Sequence, residues 1–132
     1  MNQVATVQAI AQFDAQIVLD QLRIISGTNI KNHATLILII NGKRQTFTDE
    51  GNGPIDAICK ALKPMAGEIR LTKYRVDAQG EGSDALAKAD VIVKAGIGTF
   101  AGLGFDPNTD VAGARAIIDA INKLKYYEQR NQ

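Results

Sequence analysis

The sequence contains one cysteine, Cys59, and one histidine, His33. A single thiol closes no internal disulfide, and one histidine without paired cysteines falls short of a structural zinc site. Tryptophan is missing and the aromatics are four Phe and three Tyr, so the core has to be built from Ile, Leu, Val and Ala. Charge of one sign is also lacking: 15 basic residues face 14 acidic ones, a net charge of +1. Nucleic-acid binding needs clustered Lys and Arg to displace counterions, whereas Lys43-Arg44 and the stretch from Arg70 to Arg75 read as solvated strand faces. No apolar run approaches the roughly 20 residues of a membrane span. The opening Met1-Asn2-Gln3-Val4 has no basic region of the kind that starts a signal peptide. No nucleic-acid or membrane partner is expected, and the chain reads as a cytoplasmic protein or a fragment of one.

Catalytic arrangements are equally hard to find. A hydrolytic triad needs a histidine near a nucleophile and a carboxylate, but His33 reads as a surface loop residue in a turn beside Asn32. Asp49 and Glu50 are adjacent, and neighbours in a strand face opposite ways. The glycines at 96, 98, 102 and 104 lie between two strands. A dinucleotide fingerprint instead follows a strand and opens a helix, so hairpin and bulge geometry is the expectation for them. No cofactor and no metal is expected, and the chain is not a catalyst on its own.

What is present is patterning. The 132 residues, 45% hydrophobic, suffice for one compact domain or two small sub-modules sharing a core. Val4 to Leu19 carries spaced aliphatics among many Gln and reads as an amphipathic helix or a linker, which sets residues 1–20 apart from 21–132. Leu22 to Ser26 is a short strand, and Ala34 to Ile40 is a β-branched run of the central-strand type. Asn41-Gly42 between strands is a hairpin turn, since both residues tolerate positive φ. Arg44 to Thr48 returns as a third strand. Pro54 suits the first position of a helix, whose face is Ile55, Ile58, Cys59 and Leu62 and whose end is expected at Lys63-Pro64. The second half repeats the plan. Ile69 to Asp77, the alternating Ala85 to Ala95 and Thr99 to Phe105 are strands, followed by a helix striped with Val111, Ala114, Ile117, Ile118, Ile121 and Leu124. Thr109 or Asn108 caps that helix. The expected fold class is α+β: two β-β-β-α units, about 21–63 and 68–126, related by a pseudo-twofold axis, with helices covering one face of each sheet.

Gly51-Asn52-Gly53-Pro54-Ile55-Asp56-Ala57 delivers the chain to a helix N-terminus, whose free N–H groups suit a carboxylate. An ordinary strand-to-helix turn accounts for the same residues equally well. The helix start at Thr109-Asp110 would be its mate, so that two N-termini converge on a small anion pocket. An amino acid fits such a pocket: its carboxylate goes to the amides, its ammonium to Asp110 and backbone carbonyls, and its tail to walls of Leu71, Tyr74, Ala78 and Ala85. Plain core packing is the alternative for those four. Val4 to Leu62 also has the α-β-β-β-α order of double-stranded RNA-binding domains, but Pro54-Ile55-Asp56 is not the Lys-rich start their last helix needs.

The same heptapeptide resembles the GNGPxDA signature of the regulatory, or dimerisation, domain of 2-isopropylmalate synthases and citramalate synthases. Leu71-Thr72-Lys73-Tyr74, Gly82-Ser83-Asp84-Ala85 and Gly102-Leu103-Gly104 followed by Thr109-Asp110 and Ala120-Ile121-Asn122 are similar, in order, to further motifs of that family. The resemblance runs from about Leu22 to Leu124. It implies a homodimer, a catalytic barrel domain in the parent acyl-CoA-dependent transferase, and feedback binding of leucine or isoleucine between the two units. Carried onto this chain it points to Asn52, Gly53, Pro54, Ile55, Leu71, Tyr74, Ala78, Ala85 and Asp110, and makes Asp84→Ala and Gly53→Asp disruptive. This chain departs from the family at Val111-Ala112-Gly113-Ala114, where the family often carries a small hydroxyl residue, and at the Phe105 to Asn108 loop.

Overall fold

The computed structural model describes residues 17–130. Eight elements follow one another: β1 (Ile17–Ile25), β2 (Asn32–Ile40), β3 (Lys43–Gly51), α1 (Pro54–Ala66), β4 (Arg70–Gln79), β5 (Leu86–Ala95), β6 (Gly98–Asp106) and α2 (Thr109–Arg130). They form two three-stranded antiparallel sheets, β1-β2-β3 and β4-β5-β6, each followed by its helix. This is the expected β-β-β-α order, twice.

Alternation explains the strands. In β2, Ala34, Leu36 and Leu38 are buried; in β5, Ala87, Ala89, Val91 and Val93 are. Residues directly opposite in an antiparallel pair share a face, so Leu22 opposite Leu36 and Leu19 opposite Leu38 turn to the same side. On β4, Leu71, Tyr74, Val76 and Ala78 lie opposite Val93, Val91, Ala89 and Ala87. The β2–β3 turn is built as Asn41-Gly42 requires, with φ of 52° and 83°. The helices add Ile58, Leu62, Ile117 and Ile121 to one continuous core.

Four local expectations change. β1 begins at Ile17, so residues 17–20 are strand where a helix or linker was expected; residues 1–16 lie outside the described residues. The cause is pairing, since Ile17 to Leu19 match Ile40 to Leu38 across the ladder before an irregularity at Asp20. His33 is on the surface but inside β2, with Nε2 3.4 Å from Glu50 Oε1 across the sheet. Helix α1 continues through Pro64 to Ala66: Met65 and Ala66 pack on the core, and Gly67 at φ 79° closes the turn with its N–H on Lys63 O at 2.8 Å. Tertiary packing thus outweighs the local preference of the residue before proline.

Gly102 and Gly104, expected to serve hairpin or bulge geometry, do something else. A Cβ on Gly102 would lie 1.9 Å from Ala116 O, and one on Gly104 2.3 Å from Ala112 O. Both glycines face α2, and their missing side chains let that helix lie almost against the sheet backbone. Its side chains then reach the outer edge of β6: Leu103 N–H donates to Asp119 Oδ2 at 3.0 Å, and Lys123 Nζ donates to Ala101 O at 2.8 Å.

Helix α2 also packs on β1, in the other sheet. The buried amide of Asn122 grips one residue there, accepting from Ile17 N–H at 3.1 Å and donating to Ile17 O at 2.9 Å. One helix therefore joins both sheets. Among the described residues, no helix is long and apolar enough to cross a membrane.

Candidate functional site

The two helix starts differ. At α1 the N-cap is Gly53 and no side chain caps the helix. The first N–H groups of a helix have no intrahelical acceptor; Pro54 has none to leave open, so the exposed pair is that of Ile55 and Asp56. Gly53 has φ of −163°, an extended value open to any residue, and a Cβ there would meet nothing within 4 Å. Nothing in this chain's own packing demands glycine at 53. Two residues earlier the opposite holds, since a Cβ on Gly51 would sit 2.4 Å from Ala57 N. Asp56, in the first turn, accepts from Asn52 N–H at 2.8 Å and pairs with Lys60 Nζ at 3.1 Å. Those bonds, the backbone one first, hold its carboxyl below the usual range.

At α2 the seat is taken. Asn108 Oδ1 accepts from Asp110 N–H at 2.8 Å and Val111 N–H at 3.1 Å. Asn108, rather than Thr109, is the cap, and Asp110 adds a negative charge in the first turn. The expected convergence of two open N-termini on one anion therefore reduces to one open terminus, at α1. The reason is local: asparagine satisfies amides that Gly53 cannot.

Between the helices a small group of residues meets. A Cβ on Gly113 would lie 2.5 Å from the Tyr74 hydroxyl and 3.0 Å from Ile55 Cδ1. Tyr74 of β4 thus spans to α2 beside the first turn of α1, through a gap that only glycine leaves. Burial, then Asp110, then Cys59 push the Tyr74 phenol up from its ordinary value, so it stays a proton donor at neutral pH. Burial, and then Asp56, raise the Cys59 thiol to about 11. Cys59 is consequently an unreactive neighbour rather than a nucleophile.

Of the nine residues expected from sequence, Ile55, Tyr74 and Asp110 come together, with Asn52, Gly53 and Pro54 adjoining Ile55 along the chain. Leu71 is the next residue along Tyr74's face of β4, opposite Val93 where Tyr74 is opposite Val91, whereas Ala78 and Ala85 lie farther along the β4–β5 hairpin. Leu71 packs on the core near the start of β4. Ala78 is four residues beyond Tyr74, about 13 Å along a strand, and Ala85 lies in the β4–β5 turn with its N–H on Gly82 O. Gly113 and Cys59 belong to the group but were not expected there. A glycine inside a helix was the available clue, because it costs about 1 kcal/mol against alanine unless something packs in its place.

Of two surface cavities, one adjoins this group. One of about 200 Å³ is lined by Leu22, Ile24, Ser26, Asn108, Asp110 and Val111, so Asp110 borders it too. A larger groove of about 350 Å³ lies between β1, β6 and α2, away from all nine residues, with Ile17, Leu103, Phe105 and Ile118 among its walls. Among the described residues no group of three His, Cys, Asp or Glu could hold a metal ion.

Comparison with known proteins matches residues 2–125 to the family described as the LeuA allosteric (dimerisation) domain. The 2-isopropylmalate synthase of Prochlorococcus marinus (strain MIT 9211) is 36% identical over 126 residues, which is 94% of this chain and 24% of that protein. Those of Methylobacterium nodulans and Methylorubrum populi are 39% and 41% identical over 104 and 106 residues, 78% of this chain and 20% of each relative. The chain thus spans a quarter or less of the length of these relatives.

Proposed function

From the premise that this chain belongs to the LeuA allosteric (dimerisation) domain family, we propose that it senses a branched-chain amino acid, leucine first, for feedback inhibition of a 2-isopropylmalate synthase. The reading rests on one observation above the rest: Ile55, Tyr74 and Gly113 meet beside the uncapped start of α1. In this proposal the effector carboxylate takes the N–H groups of Ile55 and Asp56, where Gly53 leaves room for close approach. Asp110 takes the ammonium. The aliphatic tail lies against Ile55 and the Tyr74 ring. Lys60 offsets the Asp56 charge that would otherwise oppose an incoming anion. Discrimination among leucine, isoleucine and valine then falls to the space around Tyr74, because one methylene is worth about 1–3 kcal/mol in an apolar site.

The proposal extends to assembly. The chain acts in the cytoplasm as a homodimer, and a catalytic domain in a longer polypeptide receives the effect. Coupling of this kind amounts to about 1–3 kcal/mol.

Thermal unfolding with leucine, isoleucine or valine tests the reading. Binding to the folded state alone adds about 2.7 kcal/mol at a hundredfold excess over Kd, an upshift of several degrees for a domain this size. A shift with one amino acid names the effector. A dimer that shows none with any of the three sinks the sensor reading and leaves a purely structural dimerisation domain.

A further inference from the structure

Asn122 is the only buried polar residue among the described ones, at 5% exposure in a helix stripe that is otherwise Ala, Gly, Ile and Leu. Burying an amide is unfavourable unless its groups are matched, and both groups here are spent on one backbone unit, the N–H and C=O of Ile17, 105 residues away. Ile17 is where the chain enters the described fold, so α2 holds that point directly. Nine residues earlier the same helix carries Gly113, in contact range of Tyr74 and Ile55. Nine residues are two and a half turns, about 13.5 Å along the axis and on opposite faces. Close packing over Gly102 and Gly104 leaves the helix no room to move nearer the sheet, so a push at Gly113 is carried along α2 rather than absorbed beneath it.

We propose that Asn122 is a positioning residue: α2 carries a change at the Tyr74–Gly113 contact to the Asn122–Ile17 clamp, and so sets how firmly the start of β1 is held. The effector role of that contact rests on the function proposed above; the coupling along the helix can be tested without any effector. The structure shows the clamp closed, with both hydrogen bonds made; the proposal adds an open condition with neither, so that the pair forms a two-state element.

The experiment is amide hydrogen exchange by NMR on the full chain without effector. Asn122→Ser is expected to speed exchange at Ile17 roughly thirtyfold, about 2 kcal/mol for the two hydrogen bonds lost, while Leu36 and Leu38 in β2 keep their protection. Gly113→Ala, which forces Tyr74 outward, is expected to speed Ile17 exchange several-fold with Asn122 present and to add nothing in the Asn122→Ser background. If Gly113→Ala does not fold, Tyr74→Phe is the gentler perturbation at the same contact. Unchanged Ile17 exchange in Asn122→Ser overturns the clamp. Equal acceleration by Gly113→Ala in both backgrounds, or none in either, overturns the coupling. Adding leucine to the unmodified chain is a separate arm: no resonance change at Gly53 or Tyr74 removes the sensor reading and leaves the helix coupling as measured.

Discussion

In the first unit, α1 shares the core with Leu36 and Leu38 through Ile58 and Leu62, all large and fully buried. In the second, α2 lies over Gly102 and Gly104 with the backbone of Ala112 and Ala116, and the facing strand supplies Ala87 and Ala89. Past its first turn at Gly51, α1 meets its sheet through bulky side chains, whereas α2 also meets β6 through backbone over Gly102 and Gly104. The ends differ in the same sense, since α1 starts without a side-chain cap and α2 starts sealed by Asn108. A repeated order of elements therefore does not repeat the energetics. The first unit keeps an uncapped helix start, and the second has its helix start closed by Asn108 and its helix laid against β6.

The contrast breaks most readily in the core. Leu62→Ala should cost about 2–5 kcal/mol by leaving a cavity, whereas Gly102→Ala should cost about 3 kcal/mol, the upper part of the usual overpacking range, because its obstacle is backbone. Gly96→Ala, with open space at its Cβ, should cost far less. Urea denaturation measures all three, and a harmless Gly102→Ala would mean that α2 lifts freely. Next come the caps. Asn108→Ala should lose about 1 kcal/mol, while Gly53→Asp should change stability by only a few tenths yet abolish the thermal upshift by effector. Loss of folding in Gly53→Asp would show instead that the first unit needs that glycine for itself.

Acid comes third. Asp56 has a folded pKa below its ordinary 3.8, so its contribution is fully present above that value and fades as pH falls through the lower, folded one. Asp56→Asn should flatten that part of the acid unfolding curve and leave stability near neutrality little changed in its slope with pH. An unchanged acid limb would mean that the Asn52 and Lys60 contacts contribute nothing in solution. The last test concerns Cys59 and leaves stability untouched. Raised from 9.0 to about 11, its thiol should alkylate on the order of a hundredfold more slowly at pH 8 than an exposed one. Fast alkylation would place α1 in frequent local opening.

Much of this architecture was readable in advance because it is written in local terms. Alternation set β2 and β5, two positive-φ residues set the Asn41-Gly42 turn, and Asn108 stood where a cap belongs. What escaped depends on elements distant in sequence. Ile17 joins a strand because Ile40 pairs with it, and Pro64 stays helical because Met65 and Ala66 have a core to meet. Gly102, Gly104 and Gly113 could be marked as glycines but not assigned to α2 or Tyr74, since nothing near them names the surface that approaches. Within the candidate site, Ile55, Tyr74 and Asp110 were legible through motifs. Leu71, Ala78 and Ala85 were named with them as walls for an apolar tail; β4 keeps Leu71 beside Tyr74 on one face and carries Ala78 about 13 Å along the strand.

The side chains that α2 lays along β6 bear on how the chain behaves in concentrated solution. An edge strand with free N–H and C=O groups is a template on which another strand can grow. On β6 the Leu103 N–H and Ala101 C=O are already occupied by Asp119 and Lys123. Edge strand β3 carries Lys43, Arg44, Asp49 and Glu50, and β4 carries Arg70, Lys73, Arg75 and Asp77. Charge on two edges and borrowed hydrogen bonds on a third disfavour strand-by-strand aggregation. The fourth edge, β1, has fewer charges than β3 or β4 and exposes Val18 and Ile25, so any growth of one copy's sheet on another's would start there.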